Sequence, residues 1–209
     1  MIKKLVLIHF RAGETDGVSL ELEKWQKAII ESGNNCIILA GKGGDFNNSI
    51  FDFRHPDIAA FTKNCFSKLS VPQKRLQNNF EKLTAKCEKA LRSFLKTEKP
   101  DILVINNVFS LPINIPFSAA LYTLKEEMKN ISFCGFHHDF FWERTYKPTN
   151  NFTAKLLKKY YPPKTLNKHL VINSIAKGEL KKRKDIKSDN VDNYFDFSQL
   201  NSSTPCGLK

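Results

Sequence analysis

Residues 10–25 read FRAGETDGVSLELEKW. Directly before them stands KKLVLIH, residues 3–9, an apolar run of strand length. Beyond the glycines, Val18, Leu22, Trp25 and Ile29 are apolar at offsets of four, seven and eleven, which is helical spacing. The stretch is therefore a strand-to-helix turn, with Gly13 and Gly17 able to take backbone angles closed to other residues. A helix that starts just after Gly17 points free N–H groups and its positive dipole end above the strand tip. Phosphate suits such a place. Asp16 and Ser19 also read simply as helix caps. Two glycines, two acids and an arginine in one turn exceed what capping needs.

Working outward, the helix should stop near Gly33, and CIILA at residues 36–40 follows as a second strand. Strand, helix and strand in that order make a βαβ unit, so the sheet should be parallel. The loop GKGGD at residues 41–45 matches neither GxGxxG nor GxxxxGK[ST] and reads as an ordinary turn. Residues 46–70 are irregular, with His55 and Pro56 marking a break before a short helix. A long helix is expected over residues 72–96, where Leu76, Phe80, Leu83, Cys87, Leu91 and Phe94 form one apolar stripe. ILVI at 102–105 is a strand buried on both sides, and ISFCGF at 131–136 is another. Between them Pro116 opens an amphipathic helix through Phe117, Leu121, Leu124 and Met128. A short strand at 170–174 and a helix from Ser174 to near Arg183 complete the pattern. The expected fold is α/β, a Rossmann-like parallel sheet flanked by helices.

Bulk properties narrow the class. At 209 residues the chain suits one sizeable α/β domain, and its 41% hydrophobic and 26% charged content is that of a globular protein. No run approaches the roughly 20 apolar residues that span a bilayer. The five cysteines are scattered and never form CxxC, which argues against a disulfide framework or a zinc site and for a reducing cytoplasm. A net charge of +12 predicts attraction to polyanions: nucleic acid, anionic lipid or phosphorylated substrates.

Open α/β sheets place ligands at the C-terminal tips of their strands. Three such tips carry unusual residues: 10–17, then NNVFSLP at 106–112, then HHDFFWER at 137–144. Together these segments resemble the retaining GT-B glycosyltransferases of the group 1, or family 4, class. FRAGETDGVSLELEKW is similar to that class's first glycine-rich turn, in a branch with an ETDGVSLE-type signature. NNVFSLPINIPFSAAL resembles its H-N-x-x-x-L-P-x-N-x-P segment, with Asn106 where a histidine often stands. HHDFFWER resembles its H-D-x-x-W-E-R pattern, and the stretch 191–197 resembles its interdomain linker. The resemblance implies a first, acceptor-side domain at residues 1–190, then a linker remnant and polar tail at 191–209. A second, donor-side domain bearing an E-x7-E carboxylate pair would complete such an enzyme, and one half alone should not turn over.

What the resemblance implies for residues is specific. Gly13, Asp16 and Gly17 would shape the cleft, with the N–H groups after Gly17 facing the diphosphate of a nucleotide-sugar donor. His138 and Asp139 would act at the transferred hexose or the acceptor. Arg11, Glu14, Asn107, Glu143 and Arg144 are the further substrate-binding candidates. No cofactor beyond the nucleotide sugar is implied. A metal is a competing use for His137, His138 and Asp139, but neighbours in a strand point to opposite faces, and no metal site is assigned. A purely structural role for these residues, with Asp139 orienting a histidine, is the other competing reading.

Two further classes compete. Residues 155–187 are dense in lysine, which suits an anionic membrane beside a sugar or lipid acceptor, or a non-catalytic basic module for anionic lipid or nucleic acid. Nucleic acid is disfavoured, because exposed aromatics are not interleaved with the basic residues. A nicotinamide-binding domain is disfavoured because GxGxxG is absent after the first strand. A separate chain supplying the donor domain is a further expected partner.

Overall fold

The computed structural model describes residues 2–14 and 17–191. Among these residues seven strands form one sheet: β1 (Lys4–Ile8), β2 (Asn35–Ala40), β3 (Phe46–Asn47), β4 (Ile102–Asn106), β5 (Ser132–His137), β6 (Lys168–Val171) and β7 (Asp189–Asn190). Six α-helices connect and cover them: α1 (Gly17–Glu31), α2 (Pro56–Phe66), α3 (Gln73–Glu98), α4 (Ile115–Glu127), α5 (Asn151–Tyr160) and α6 (Ser174–Lys184). All pairings are parallel, in the order β3-β2-β1-β4-β5-β6-β7. The fold is the expected Rossmann-like α/β sheet. Its order reverses between β1 and β4, and a crevice opens at such a switch point.

Alternation along the strands builds a core on each face. Val6, Ile8, Leu103 and Ile105 pack with Leu83, Cys87 and Leu91 of α3 and with Phe117 and Leu121 of α4. Leu7, Val104 and Phe136 pack on the other face with Leu22, Trp25 and Ile29 of α1. Each fully buried side chain of this size contributes roughly 1.5–3 kcal/mol. The long helix at α3 follows the expected stripe, with Leu76, Leu83, Cys87 and Leu91 buried and Phe80 and Phe94 partly so. Trp25 lies 4.9 Å from Phe136, ring centre to ring centre, which ties α1 to β5.

Departures from expectation have local causes. The strand expected at 170–174 is instead Lys168–Val171, because Asn173 leaves the sheet to cap α6, its Oδ1 accepting from Ala176 N at 2.8 Å. The two-residue strands β3 and β7 carry no periodicity to read. Helix α5 was not expected from the sequence; its second half falls in the lysine-rich stretch, and its N-cap Asn150 accepts from Thr153 N at 2.9 Å. Residues 192–209, which include most of the expected linker and tail, lie outside the described residues.

Candidate active site at the strand tips

The exit of β1 is braced by backbone. Gly41 N donates to Phe10 O at 2.9 Å and Ala12 N donates to Lys42 O at 2.7 Å. Gly13 takes φ +69° against Gly43, and a Cβ on Gly43 would stand 1.8 Å from Ala12 O. The glycines at 41–44 therefore let one loop lie flat on the other. Gly13 supplies conformation to the turn and does not line the cavity. His9 bridges to the next tip, its Nδ1 2.8 Å from the carbonyl oxygen of Asn106.

A cavity of about 820 Å³ occupies the switch point. Arg11, Gly17, Asn107, His138, Asp139 and Arg144 all line it, so the three turns read from sequence meet at one sheet edge. Glu14 stands just outside, joined to Arg11 Nη1 at 2.8 Å. Asp16 lies outside the described residues. Glu143 is not among the residues lining the cavity, and its Oε2 accepts from Phe140 N at 2.7 Å and closes the local turn.

Asn107 organises the third turn. It sits at φ +54°, its Oδ1 accepts from His138 N at 2.8 Å, and its Nδ2 donates to Asp139 Oδ1 at 3.2 Å. The other oxygen of Asp139 receives Arg144, whose Nε is 2.9 Å away. Both carboxylate oxygens are thus engaged, and Asp139 acts as the anchor of Arg144 at the cavity rim. This differs from a free base at a reacting atom. The His138 ring lies tilted against Phe136 with the ring centres 4.4 Å apart, and its Nε2 is covered with no partner among the described residues. Burial holds its pKa below the usual histidine value, against the pull of Glu21 and Asp139, so the imidazole is neutral at pH 7.

His137 points the other way. Its Nδ1 is 2.5 Å from Ser110 Oγ and its Nε2 is 3.0 Å from His169 Nδ1. Burial lowers the pKa of both, His169 to about 4, which keeps this pair uncharged within the core. The two adjacent histidines therefore serve opposite sides of the strand, as its alternation requires.

Sequence reasoning missed several cavity residues. Glu21 and Lys24 line it from α1, paired at 2.9 Å, and lie at helical spacing from Gly17, a signal that was there to read. Phe53 comes from the irregular segment, which had no pattern to place it.

Fold and cavity together define a Rossmann-like domain with a ligand-sized cleft where the strand order reverses. The chain is 36% identical over 200 residues to a mannosylglucosylglycerate synthase of Petrotoga mobilis, a match covering 92% of this chain and 45% of that protein. It is likewise 36% identical over 206 residues to the synthase of the same name from Thermotoga maritima, covering 93% of this chain and 46% of that one. The chain thus spans about half the length of the curated relatives it matches. No family model matches it. Among solved structures it overlaps the lipopolysaccharide outer core galactosyltransferase WaaB at TM-score 0.45, 14% identical over 87% of this chain and 42% of that one. S. aureus MnaA, solved with UDP, overlaps at TM-score 0.44, 12% identical over 88% of this chain and 41% of that one.

Proposed function

We propose that this chain is the acceptor-side domain of a retaining, family 4-type GT-B hexosyltransferase that uses a nucleotide sugar as donor. The observation that carries the reading is the meeting of three motif-bearing turns on one cavity, in a chain 36% identical to two synthases of a hexosylated glycerate. The product named for those relatives, mannosylglucosylglycerate, is a glycoside with a carboxylate. Carried to this chain, that makes an anionic hexoside the acceptor, with glucosylglycerate the natural probe. A second, donor-side domain, in the same or a separate chain, belongs to this proposal.

The chemistry available at the cavity fits acceptor binding better than bond breaking. Gly17 and Val18 bring the positive end of α1 to the cavity, which favours a neighbouring diphosphate. The neutral imidazole of His138 can exchange hydrogen bonds with sugar hydroxyls without carrying charge. Arg144, fixed by Asp139, offers a guanidinium at the rim. In-line transfer needs an acceptor held still against the departing diphosphate, and rigid groups on strand tips supply that hold.

Calorimetric titration with glucosylglycerate tests the reading. Binding is expected in the native chain, and His138→Ala should weaken it about tenfold, the worth of one to two hydrogen bonds. Absence of binding, or the same affinity in His138→Ala, contradicts the assignment of the cavity to the acceptor.

A further inference from the structure

Beside the cavity, two arginines from different segments share one carboxylate. Glu14 Oε2 is 2.8 Å from Arg11 Nη1, and Glu14 Oε1 is 2.9 Å from Arg54 Nη2. Each oxygen thus takes a different guanidinium. Phe53 lines the cavity with the Arg11 guanidinium carbon 5.0 Å from its ring centre and that of Arg54 5.8 Å away.

The arginines have second supports that Glu14 does not provide. Asp52 holds Arg54 through Oδ2 at 3.3 Å and accepts the Arg54 backbone N–H at 2.8 Å. Arg11 keeps its contact with the Phe53 face, a cation–π arrangement. If Glu14 swings away, both forks stay in place, facing the position a carboxylate has just left. Glu14 is itself part-exposed, on a glycine-containing turn, and surface pairs of this kind contribute little, so its hold is easily broken.

We propose that Arg11 and Arg54 form the carboxylate subsite for the acceptor, and that Glu14 is a built-in occupant which the ligand's carboxylate displaces. This rests on the acceptor reading above and names the group that the cavity selects. The bridging geometry of Glu14 shows the shape accepted: one planar carboxylate spanning two guanidiniums, the match for which arginine is suited. The site would therefore prefer a carboxylate-bearing hexoside to its neutral counterpart.

The test titrates the native chain with glucosylglycerate and with neutral glucosylglycerol. The carboxylate ligand should bind about tenfold more tightly or better, and Arg54→Ala should bring the two together. Glu14→Gln should raise glucosylglycerate affinity about threefold to tenfold, because an internal competitor is gone. Glu31→Gln, an equal change of charge on the far end of α1, should not. Equal binding of the two ligands by the native chain overturns the subsite while leaving the acceptor cavity standing. Binding of neither ligand overturns both. A Glu14→Gln chain that binds more weakly shows that Glu14 supports the arginines, and it overturns the displacement mechanism.

Discussion

Asn107 shows how much of the site rests on one side chain. It is a non-glycine residue with positive φ, and its amide satisfies the His138 N–H and one Asp139 oxygen. Asn107→Ala removes these bonds and keeps the backbone strain. It should lower stability by about 1–3 kcal/mol, the cost of leaving a buried donor unsatisfied, since the left-handed strain is present in the native chain as well. Asn107→Gly relieves the strain and should lose only about half as much, read by denaturant unfolding. An alanine variant as stable as the glycine variant would show that the left-handed turn carries no cost. At this scale the sequence was only partly legible. Residue types at the strand tips could be read, because the fold rule places them there. Which atoms they engage could not be read, so Asp139 and Glu143 looked alike although one holds Arg144 and the other closes its own turn. Arg54 was invisible because its link to Glu14 crosses 40 residues of chain.

Elements with strong periodicity were read correctly, whereas the lysine-rich stretch was read mainly for its charge. The stripe of α3 and the apolar runs of β4 and β5 follow directly from their spacing. The lysine-rich stretch was read as a surface for an anionic membrane near the acceptor, and it holds the second half of α5 with β6 and α6. Topology separates that surface from the cavity. Helix α6 begins beyond the C-terminal end of β6 and returns to the start of β7, so its last turn stands at the sheet edge away from the cavity. Two of its cations are already paired: Lys181 with Asp185, and Arg183 with Glu179. Lys184 is half-buried, and burial and then the nearby Lys164 and Lys158 lower its pKa. Changing Lys181, Lys182, Arg183 and Lys184 to Glu should reduce sedimentation with anionic liposomes at low salt and leave glucosylglycerate affinity unchanged. Equally poor sedimentation of the native chain with anionic and neutral liposomes removes membrane adsorption from the account. A loss of ligand affinity in the quadruple variant contradicts the separation of the two edges.

At the scale of the whole molecule, the sheet order explains why one edge can hold a site. Strands β2 and β3 lie to one side of β1 and strands β4 to β7 to the other, so the chain diverges there and leaves room above the tips. The order of the main strands and helices was legible from the sequence, as was the meeting of the three strand-tip turns at one edge. Cavity shape was not, because Phe53, Glu21 and Leu111 come from three separate segments whose approach only tertiary packing fixes. The central claim is that the cleft between α1, β1, β4 and β5 receives the acceptor hexoside. Crystals of the chain grown with glucosylglycerate test it most directly. Ligand density should lie between Gly17 and His138, with its carboxylate at Arg11 and Arg54. Density in the other large groove, lined by Phe46 and Phe94 between β3 and α3, would contradict it.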